Sequence, residues 1–156
     1  MKEGAAGRVV GIDISEPAIK DAWINAKKNG YSEDDNTVSF VASRAESVMQ
    51  SEIQKAGDCP MVAIVDPARD GLHHDVVRAL RNAHNIERII YVSCNPTGSL
   101  IQDGALLCSP PTKRYTGLPF KPTSAQPCDM FPLTPHCELV IVFDRMSKEE
   151  CLGTIN

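Results

Sequence analysis

The sequence is poor in aromatic residues and has no excess of positive charge. Its 156 residues include only four Phe, three Tyr and one Trp, and the formal net charge is -4. A protein that binds nucleic acid by itself usually carries a basic surface, so most of the positive field for such a partner must come from elsewhere. No stretch approaches the roughly 18 to 20 apolar residues of a membrane span. The ordinary apolar fraction of 42% indicates a globular chain with one core.

The sequence also lacks Cys-x-x-Cys pairs, although it contains six cysteines. Residues 1–8 are short and polar, which is typical of neither a signal peptide nor a transit peptide. We therefore interpret the cysteines as reduced thiols of an intracellular protein. Cys128, His136 and Cys137 are imaginable zinc ligands, but no fourth ligand stands at a usual spacing, so we expect no metal site.

Strands and helices alternate along most of the chain. Apolar runs predict strands, and apolar residues at helical spacing predict helices. The predicted strands are Val9–Asp13, Thr37–Val41, Met61–Val65, Arg88–Val92 and Leu139–Phe143, and the predicted helices are 17–28 (with Ser15 as N-cap), Arg44–Lys55, Leu72–Ala83 and Thr97–Cys108. This alternation predicts an α/β fold with a parallel sheet covered on both faces. Residues 109–132 are rich in proline, with extended pieces around Tyr115 and Ser124, and a disordered tail at 147–156 is predicted to follow a single domain at 1–146.

Three of the predicted strands end in polar residues. Asp13 ends the first strand, Asp66-Pro67-Ala68-Arg69 follows the third, and Ser93-Cys94-Asn95-Pro96 follows the fourth. Ligands of open α/β sheets bind at the carboxyl ends of the strands. We therefore expect these three groups to face one crevice.

Asp13 and Cys94 are candidates for binding and catalysis. In a nucleotide-binding fold, an acid at a strand end grips ribose hydroxyls, and the alternative is an exposed loop acid. Cys94 lies between a strand and a predicted helix N-terminus, whose amides favour the reactive thiolate. A cysteine is more often an inert core residue, and we interpret the other five in that way.

Glu138, Asp66 and Arg69 each have two interpretations. Glu138 directly precedes an apolar strand, where loss of hydration suits a general base. The alternative, which spacing alone favours, is a strand-end glutamate that faces water. Asp66 and Arg69 form either a simple ion pair in a loop or a hydrogen-bond acceptor and a fixed cation for a planar ring.

A later segment interleaves cations with aromatic residues. It contributes either an RNA-backbone contact or a solvated loop, and its members are Lys113, Arg114, Tyr115, Phe120 and Lys121. His73 and His74 stand near a predicted helix start, and we interpret them as surface residues.

Three ordered motifs resemble those of a known family. They are Asp66-Pro67-Ala68-Arg69-Asp70-Gly71, then Ser93-Cys94-Asn95-Pro96, then Asp129-Met130-Phe131-Pro132-Leu133-Thr134-Pro135-His136-Cys137-Glu138. Their order and spacing are similar to those of the TrmA/RumA family of RNA uracil-5-methyltransferases, over about Val9 to Arg145. The stretch Pro-Phe-Lys-Pro before Asp129 and the run Thr-Pro-His-Cys-Glu look most like the eukaryotic tRNA-modifying members.

The resemblance implies a Rossmann-like class I fold that binds S-adenosyl-L-methionine (SAM) and methylates carbon 5 of a uridine in RNA, with tRNA as the expected partner. It implies a nucleophile at Cys94, a proton acceptor at Glu138, SAM contacts at Asp13 and Asp66, and substrate contacts at Arg69 and Asp129. We also expect a monomer without metal or membrane attachment. Eukaryotic relatives suggest the cytoplasm or the nucleus, with the mitochondrion left open.

Compared with the family, this sequence begins just before the second strand of the sheet. The first strand, its Gly-rich SAM loop and the family's N-terminal RNA-binding region fall outside it. In the topology of SAM-dependent methyltransferases, that first strand lies between the second and fourth, so its loss exposes two unpaired backbone edges. We therefore expect this chain alone to be marginally folded and catalytically incompetent.

Three rival interpretations stay open. Asp66-Pro67-Ala68-Arg69 loosely resembles the Asp/Asn-Pro-Pro-aromatic motif of amino-group methyltransferases, which need no cysteine nucleophile. RNA cytosine-5 methyltransferases use cysteine, but in a Pro-Cys context instead of Ser93-Cys94. Dependence of activity on Cys94 separates the expected enzyme from the amino-group methyltransferases. A catalytically incompetent RNA-binding or regulatory remnant is the third interpretation, and the transcript upstream of Met1 tests it, because an in-frame Gly-rich strand and loop there would indicate an enzyme.

Overall fold

The computed structural model describes residues 7–153 of the chain. These residues form two compact units, one ending at Lys55 and the other beginning at Ala56. The elements are β1 (Val9–Asp13), α1 (Glu16–Lys28), a 3-10 helix (Glu33–Asp35), β2 (Val38–Ala42), α2 (Ala45–Ala56), β3 (Met61–Val65), α3 (His74–Asn82), β4 (Ile86–Ser93), α4 (Ser99–Cys108), β5 (Phe120–Cys128), β6 (Glu138–Arg145) and α5 (Lys148–Gly153).

The first unit is a two-stranded parallel sheet with its connecting helix. β1 pairs with β2 from Val9 opposite Val38 to Asp13 opposite Ala42. The predicted N-cap of α1 is confirmed, because the Ser15 hydroxyl accepts a hydrogen bond from the backbone N–H of Ala18 at 3.3 Å.

An aromatic pair packs the helix of this unit against its sheet. Trp23 of α1 meets Phe40 of β2 edge to face, with ring centroids 4.9 Å apart. Gly11 in β1 leaves room for that ring, because a Cβ there would lie 2.6 Å from Phe40.

The second unit is built on a four-stranded sheet in the order β3-β4-β6-β5. β3 and β4 are parallel, as expected, but β6 is antiparallel to both β4 and β5. The predicted parallel sheet is therefore mixed, because the short connection between β5 and β6 reverses the chain direction. β5 was missed as a full strand because Pro122 and Pro127 suggest a loop. Proline is tolerated there because β5 lies at the edge of the sheet.

Helices α3 and α4 cover one face of this sheet and form its core. Val77, Leu80 and Ile89 are fully buried, and Gly104 of α4 lies directly over the ring of Phe143. Burying several such aliphatic side chains at about 1.5 to 3 kcal/mol each is the main force that holds the helices on the sheet.

Two arginines, the buried Arg81 and the half-buried Arg145, tie the helix ends to the sheet. Arg145 donates to five backbone carbonyls, those of Leu80, Arg81, Ala83, Ile86 and Leu118. Arg81 donates to the carbonyls of Leu106, Leu107, Ser109 and Gly117. These carbonyls include the ends of α3 and α4, which have no partners within their helices. Burial lowers the pKa of Arg145 to about 10.

The C-terminal residues differ from the predicted disordered tail. Residues 148–153 form α5, and the Ser147 hydroxyl caps it by accepting a hydrogen bond from the N–H of Glu150 at 3.2 Å. An ion pair between Lys121 of β5 and Glu150 fastens the helix to the sheet. No helix within residues 7–153 is long and apolar enough to cross a membrane.

Candidate active site

Most of the predicted site residues meet at one edge of the four-stranded sheet. Asp66 follows β3, Cys94 follows β4 and Asp129 follows β5, and these three strands run in the same direction. Glu138 begins β6, which runs in the opposite direction, so it lies at this edge as well. The polar residues after β3 and β4 predicted this convergence, and the antiparallel β6 adds Glu138 to it.

Strand register places Cys94 beside Glu138. Ser93 pairs with Leu139 at the end of the antiparallel β4–β6 ladder, so Cys94 and Glu138 are the next residues along the two chains. Opposite residues on antiparallel strands have Cβ atoms about 4.5 to 5.5 Å apart and share a face. A thiol and a carboxylate therefore lie at the same end of the β4–β6 ladder.

One oxygen of the Glu138 carboxylate is shielded from solvent and lacks a hydrogen-bond donor within the described residues. This atom, Oε2, is buried and has no hydrogen-bond partner within the described part of the chain. Buried polar atoms are nearly always paired, so an unpaired acceptor next to a thiol needs an explanation. The alternative of a strand-end glutamate that faces water is wrong for this oxygen.

The loop after β3 and the turn after β4 are tied together. The side-chain amide of Asn95 donates to the carbonyl of Arg69 at 3.1 Å, and the N–H of Asn95 donates to the Ser93 hydroxyl at 3.1 Å. Asp66 and Arg69 are exposed and, within residues 7–153, form no ion pair with each other. Their side chains are therefore available to a ligand. Asn95 belonged to a predicted motif, but sequence gave no sign of its bridging role.

The connection between β5 and β6 presents an exposed apolar surface. Leu133 is fully exposed, and Met130 and Phe131 are exposed as well. Leu133 has φ of 66°, a conformation that L residues rarely adopt. Asp129 shapes the start of this loop, because its Oδ1 accepts a hydrogen bond from the N–H of Phe131 at 3.2 Å.

Asp13 belongs to the first unit and lines an open groove there. The groove has a volume of about 270 Å³ and is lined by Ile12, Asp13, Ile14, Ser43, Arg44, Ala45 and Glu46. Asp13 Oδ1 accepts a hydrogen bond from the N–H of Ser15 at 2.7 Å, while no partner of Oδ2 is found within the described residues. The expectation that Asp13 shares one crevice with Asp66 and Cys94 stays a prediction.

The segment that interleaves cations and aromatics is largely packed within the second unit. Tyr115 and Phe120 are buried, so they offer no exposed faces for stacking on bases. Lys121 pairs with Glu150, whereas Lys113 and Arg114 are exposed. Stacking of RNA bases on these aromatic residues is therefore ruled out.

The described residues bring one set of potential metal ligands together, and it differs from the set that the sequence suggested. It consists of His73, His74 and Asp75, whose ligand atoms lie within 4.8 Å of one another. Arg78 forms an ion pair with Asp75 at 2.7 Å. The His73 ring caps α3, because its Nδ1 accepts a hydrogen bond from the backbone N–H of Asp75. Both histidines are exposed, as the sequence predicted.

Two methyltransferases are among the solved structures with a similar fold. An rRNA methylase from Streptococcus thermophilus superposes with a TM-score of 0.59 at 11% identity, over 92% of this chain and 76% of that one. The N-methyltransferase NodS from Bradyrhizobium japonicum gives 0.52 at 12% identity, over 89% and 74%. The expected α/β fold of class I methyltransferases is thereby confirmed.

Sequence relatives are more specific. The chain is 38% identical over 148 residues to tRNA (uracil-5-)-methyltransferase homolog A of Homo sapiens. The aligned region covers 95% of this chain and 23% of that protein. The chain is 43% identical over 141 residues to homolog B of Danio rerio, covering 88% of this chain and 28% of that protein. The chain thus spans about a quarter of the length of the curated relatives it matches. The family model for tRNA (Uracil-5-)-methyltransferase matches residues 5–146, so the chain belongs to that family.

Proposed function

We propose that this chain carries the nucleophile and the proton acceptor of a SAM-dependent RNA (uracil-5-)-methyltransferase, with tRNA as the RNA. Cys94 is the nucleophile and Glu138 the base. The observation that carries the proposal is their adjacency at the end of the β4–β6 ladder, together with the buried, unpaired Oε2 of Glu138.

The chemistry of uracil needs both groups. Carbon 5 is a poor nucleophile until the Cys94 thiolate adds to carbon 6, which pushes the electron pair of the 5,6 double bond onto the carbon 4 oxygen as an enolate. Carbon 5 of this enolate can then accept a methyl group. Glu138 removes the remaining carbon 5 proton, and the returning electrons expel the Cys94 thiolate and restore the double bond.

The exposed polar groups of the second unit suit recognition of the ring. Arg69 offers a fixed cation to the enolate oxygen, and Asp66 offers an acceptor to a ring N–H. Asp129 lies at the same edge and shapes the loop beside Glu138. The target uridine has to leave its stack to reach these groups, as in other enzymes that act on a base.

The groove at Asp13 fits part of the cofactor. The free Oδ2 of Asp13 is an acceptor for a ribose hydroxyl, and Ile12 and Ile14 give the groove apolar walls. When bound, S-adenosylmethionine supplies the methyl group that carbon 5 accepts. Asp66 is the second residue assigned to cofactor contact, from its place at the end of β3.

A methyl-transfer assay tests the proposal. This chain replaces the matching segment of the human homolog A, and transfer of labelled methyl groups from SAM to tRNA is measured. Replacing Cys94→Ala removes the nucleophile, and we expect the rate to fall by at least about 1,000-fold. Cys137→Ala is the matched control, because Cys137 is a second half-buried thiol beside the site and has no proposed role in the chemistry. Equal activity of the two variants would remove Cys94 from the mechanism.

A further inference from the structure

Asp103 is a buried acid that no part of the mechanism above uses. It lies in α4 and is 6% exposed. One oxygen, Oδ2, accepts two hydrogen bonds, from the Tyr91 hydroxyl at 2.6 Å and from the backbone N–H of Leu72 at 2.8 Å. Within residues 7–153, no arginine, lysine or histidine forms an ion pair with it.

Burying a carboxylate that has no cation beside it costs much free energy. Removing its charge from water without a cation is unfavourable unless strong hydrogen bonds replace the lost hydration. The Tyr91–Asp103 distance of 2.6 Å is typical of a charge-assisted O–H···O⁻ bond. Burial, together with this bond, raises the pKa of Tyr91, so its hydroxyl stays a donor. A neutral side chain would fill the same space at a lower cost in free energy. The hydrogen bonds from Tyr91 and Leu72 to Asp103 therefore need an explanation of their own.

The two donors to Asp103, Leu72 and Tyr91, each lie close in sequence to one of the two motifs of the candidate active site. Leu72 follows the Asp66–Gly71 loop, and Tyr91 precedes Cys94 by three residues in β4. The loop is pressed against α4, because a Cβ on Gly71 would lie 2.7 Å from Asp103 Oδ2. Asp103 thus joins the loop after β3 to the strand that ends in Cys94.

The contact between Asn95 and Arg69 is a second link between the same two segments. It joins them at the edge of the sheet, whereas Asp103 joins them from the helix side. Gly98 lets the turn fold back on itself, since a Cβ there would lie 2.4 Å from the Asn95 amide. Two links leave the turn little freedom to move Cys94 relative to Asp66.

We propose that Asp103 is a positioning residue, which holds Cys94 at a fixed place relative to the Asp66–Gly71 loop through Tyr91 and Leu72. It touches neither uracil nor cofactor. The proposal rests on the assignment of Cys94 as the nucleophile. Asp103 would raise the rate by holding the nucleophile in place before the reaction, because small misplacements of a nucleophile lower the rate strongly.

Thiol labelling of the hybrid, in which this chain replaces the matching segment of human homolog A, tests this without needing catalysis. The protein is treated with iodoacetamide, digested, and the labelling rate of each cysteine is measured by mass spectrometry. The readout is the rate at Cys94 divided by the rate at Cys137, which is also half-buried. The variants are Asp103→Asn and Tyr91→Phe, and Gln102→Ala, on the exposed side of the same helix, is the control.

We expect the Cys94/Cys137 ratio to rise about tenfold in Asp103→Asn and in Tyr91→Phe, because each removes a charge-assisted bond, and to stay at the wild-type value in Gln102→Ala. An unchanged ratio in both variants would overturn the proposal. A parallel rise at every cysteine would overturn it too, because that pattern indicates general loosening of the fold. A failed methylation assay with a selective rise at Cys94 would reject only the assignment of the nucleophile.

Discussion

Cys94 directly follows β4 and Glu138 begins β6, so both residues lie next to the Ser93–Leu139 pair that ends the antiparallel β4–β6 ladder. They are far apart in sequence, and the reversal of β6 relative to β4 brings them together. This register brings together the two residues that we propose as the nucleophile and the base.

The roles of the two residues predict different products for their variants. Glu138→Gln keeps the shape of the side chain but cannot accept the carbon 5 proton, so the reaction stops after methyl transfer. In the hybrid with human homolog A, we expect this variant to accumulate a denaturation-resistant adduct with unmodified tRNA. Gel electrophoresis after denaturation detects it, and the Cys94→Ala, Glu138→Gln double variant is the control that forms none. A Glu138→Gln variant that turns over normally without adduct would exclude Glu138 as the base.

The groove at Asp13 predicts a contribution to cofactor affinity. Asp13→Asn retains one oxygen for the N–H of Ser15 and removes the charged acceptor for ribose hydroxyls. We expect SAM to bind the hybrid about tenfold more weakly, as measured by calorimetry, because a charged hydrogen bond is worth about 1.5 to 3 kcal/mol. Asp21→Asn, on the exposed surface of α1, should leave the affinity unchanged. Equal affinities in both variants would place the ribose elsewhere.

Two glycines with similar backbone angles predict a contrast in stability. Gly71 has φ of 85° and abuts Asp103 and Ser99, whereas Gly57 has φ of 58° and open space around it. Gly57→Ala meets only backbone strain, about 1 kcal/mol, whereas Gly71→Ala adds a steric clash and should lose about 3 kcal/mol. Urea unfolding of the hybrid with human homolog A measures both. Similar losses would mean that the loop does not press on α4.

The half-buried Arg145 predicts a large effect of a conservative change. Lysine has three donors on a compact head and cannot reach the five carbonyls that Arg145 satisfies. We expect Arg145→Lys to reduce the free energy of unfolding by about 2 to 4 kcal/mol, since buried carbonyls lose their partners. Arg88→Lys, at an exposed ion pair with Asp144, should leave it nearly unchanged, because solvent screens exposed ion pairs. Losses of equal size would show that the carbonyl contacts contribute little.

Elements with a strong local pattern could be predicted from the sequence. β3 has the predicted bounds Met61–Val65, because an all-apolar run ends abruptly at Asp66. The start of α1 was predicted from the Ser15 cap and from Pro17, which lies inside the first turn. These signals depend on neighbouring residues alone, so no tertiary information is needed.

Features that depend on distant contacts could not be predicted in this way. β5 looks like a loop because of its prolines, and only its place at the sheet edge makes it a strand. α5 has little helical signal of its own, and the Lys121–Glu150 ion pair helps to fix it. Asp103 looks like an ordinary helix residue, since its partner Leu72 lies 31 residues away.

The most direct measurement is a covalent trap with 5-fluorouridine-substituted tRNA and SAM, using the hybrid that contains this chain. Glu138 cannot abstract fluorine from carbon 5, so the Cys94–carbon 6 bond should persist and survive denaturation. We expect an adduct with the wild-type sequence and with Cys137→Ala, and none with Cys94→Ala. An adduct that persists in Cys94→Ala, or no adduct in a hybrid that binds both tRNA and SAM, would contradict covalent catalysis by Cys94.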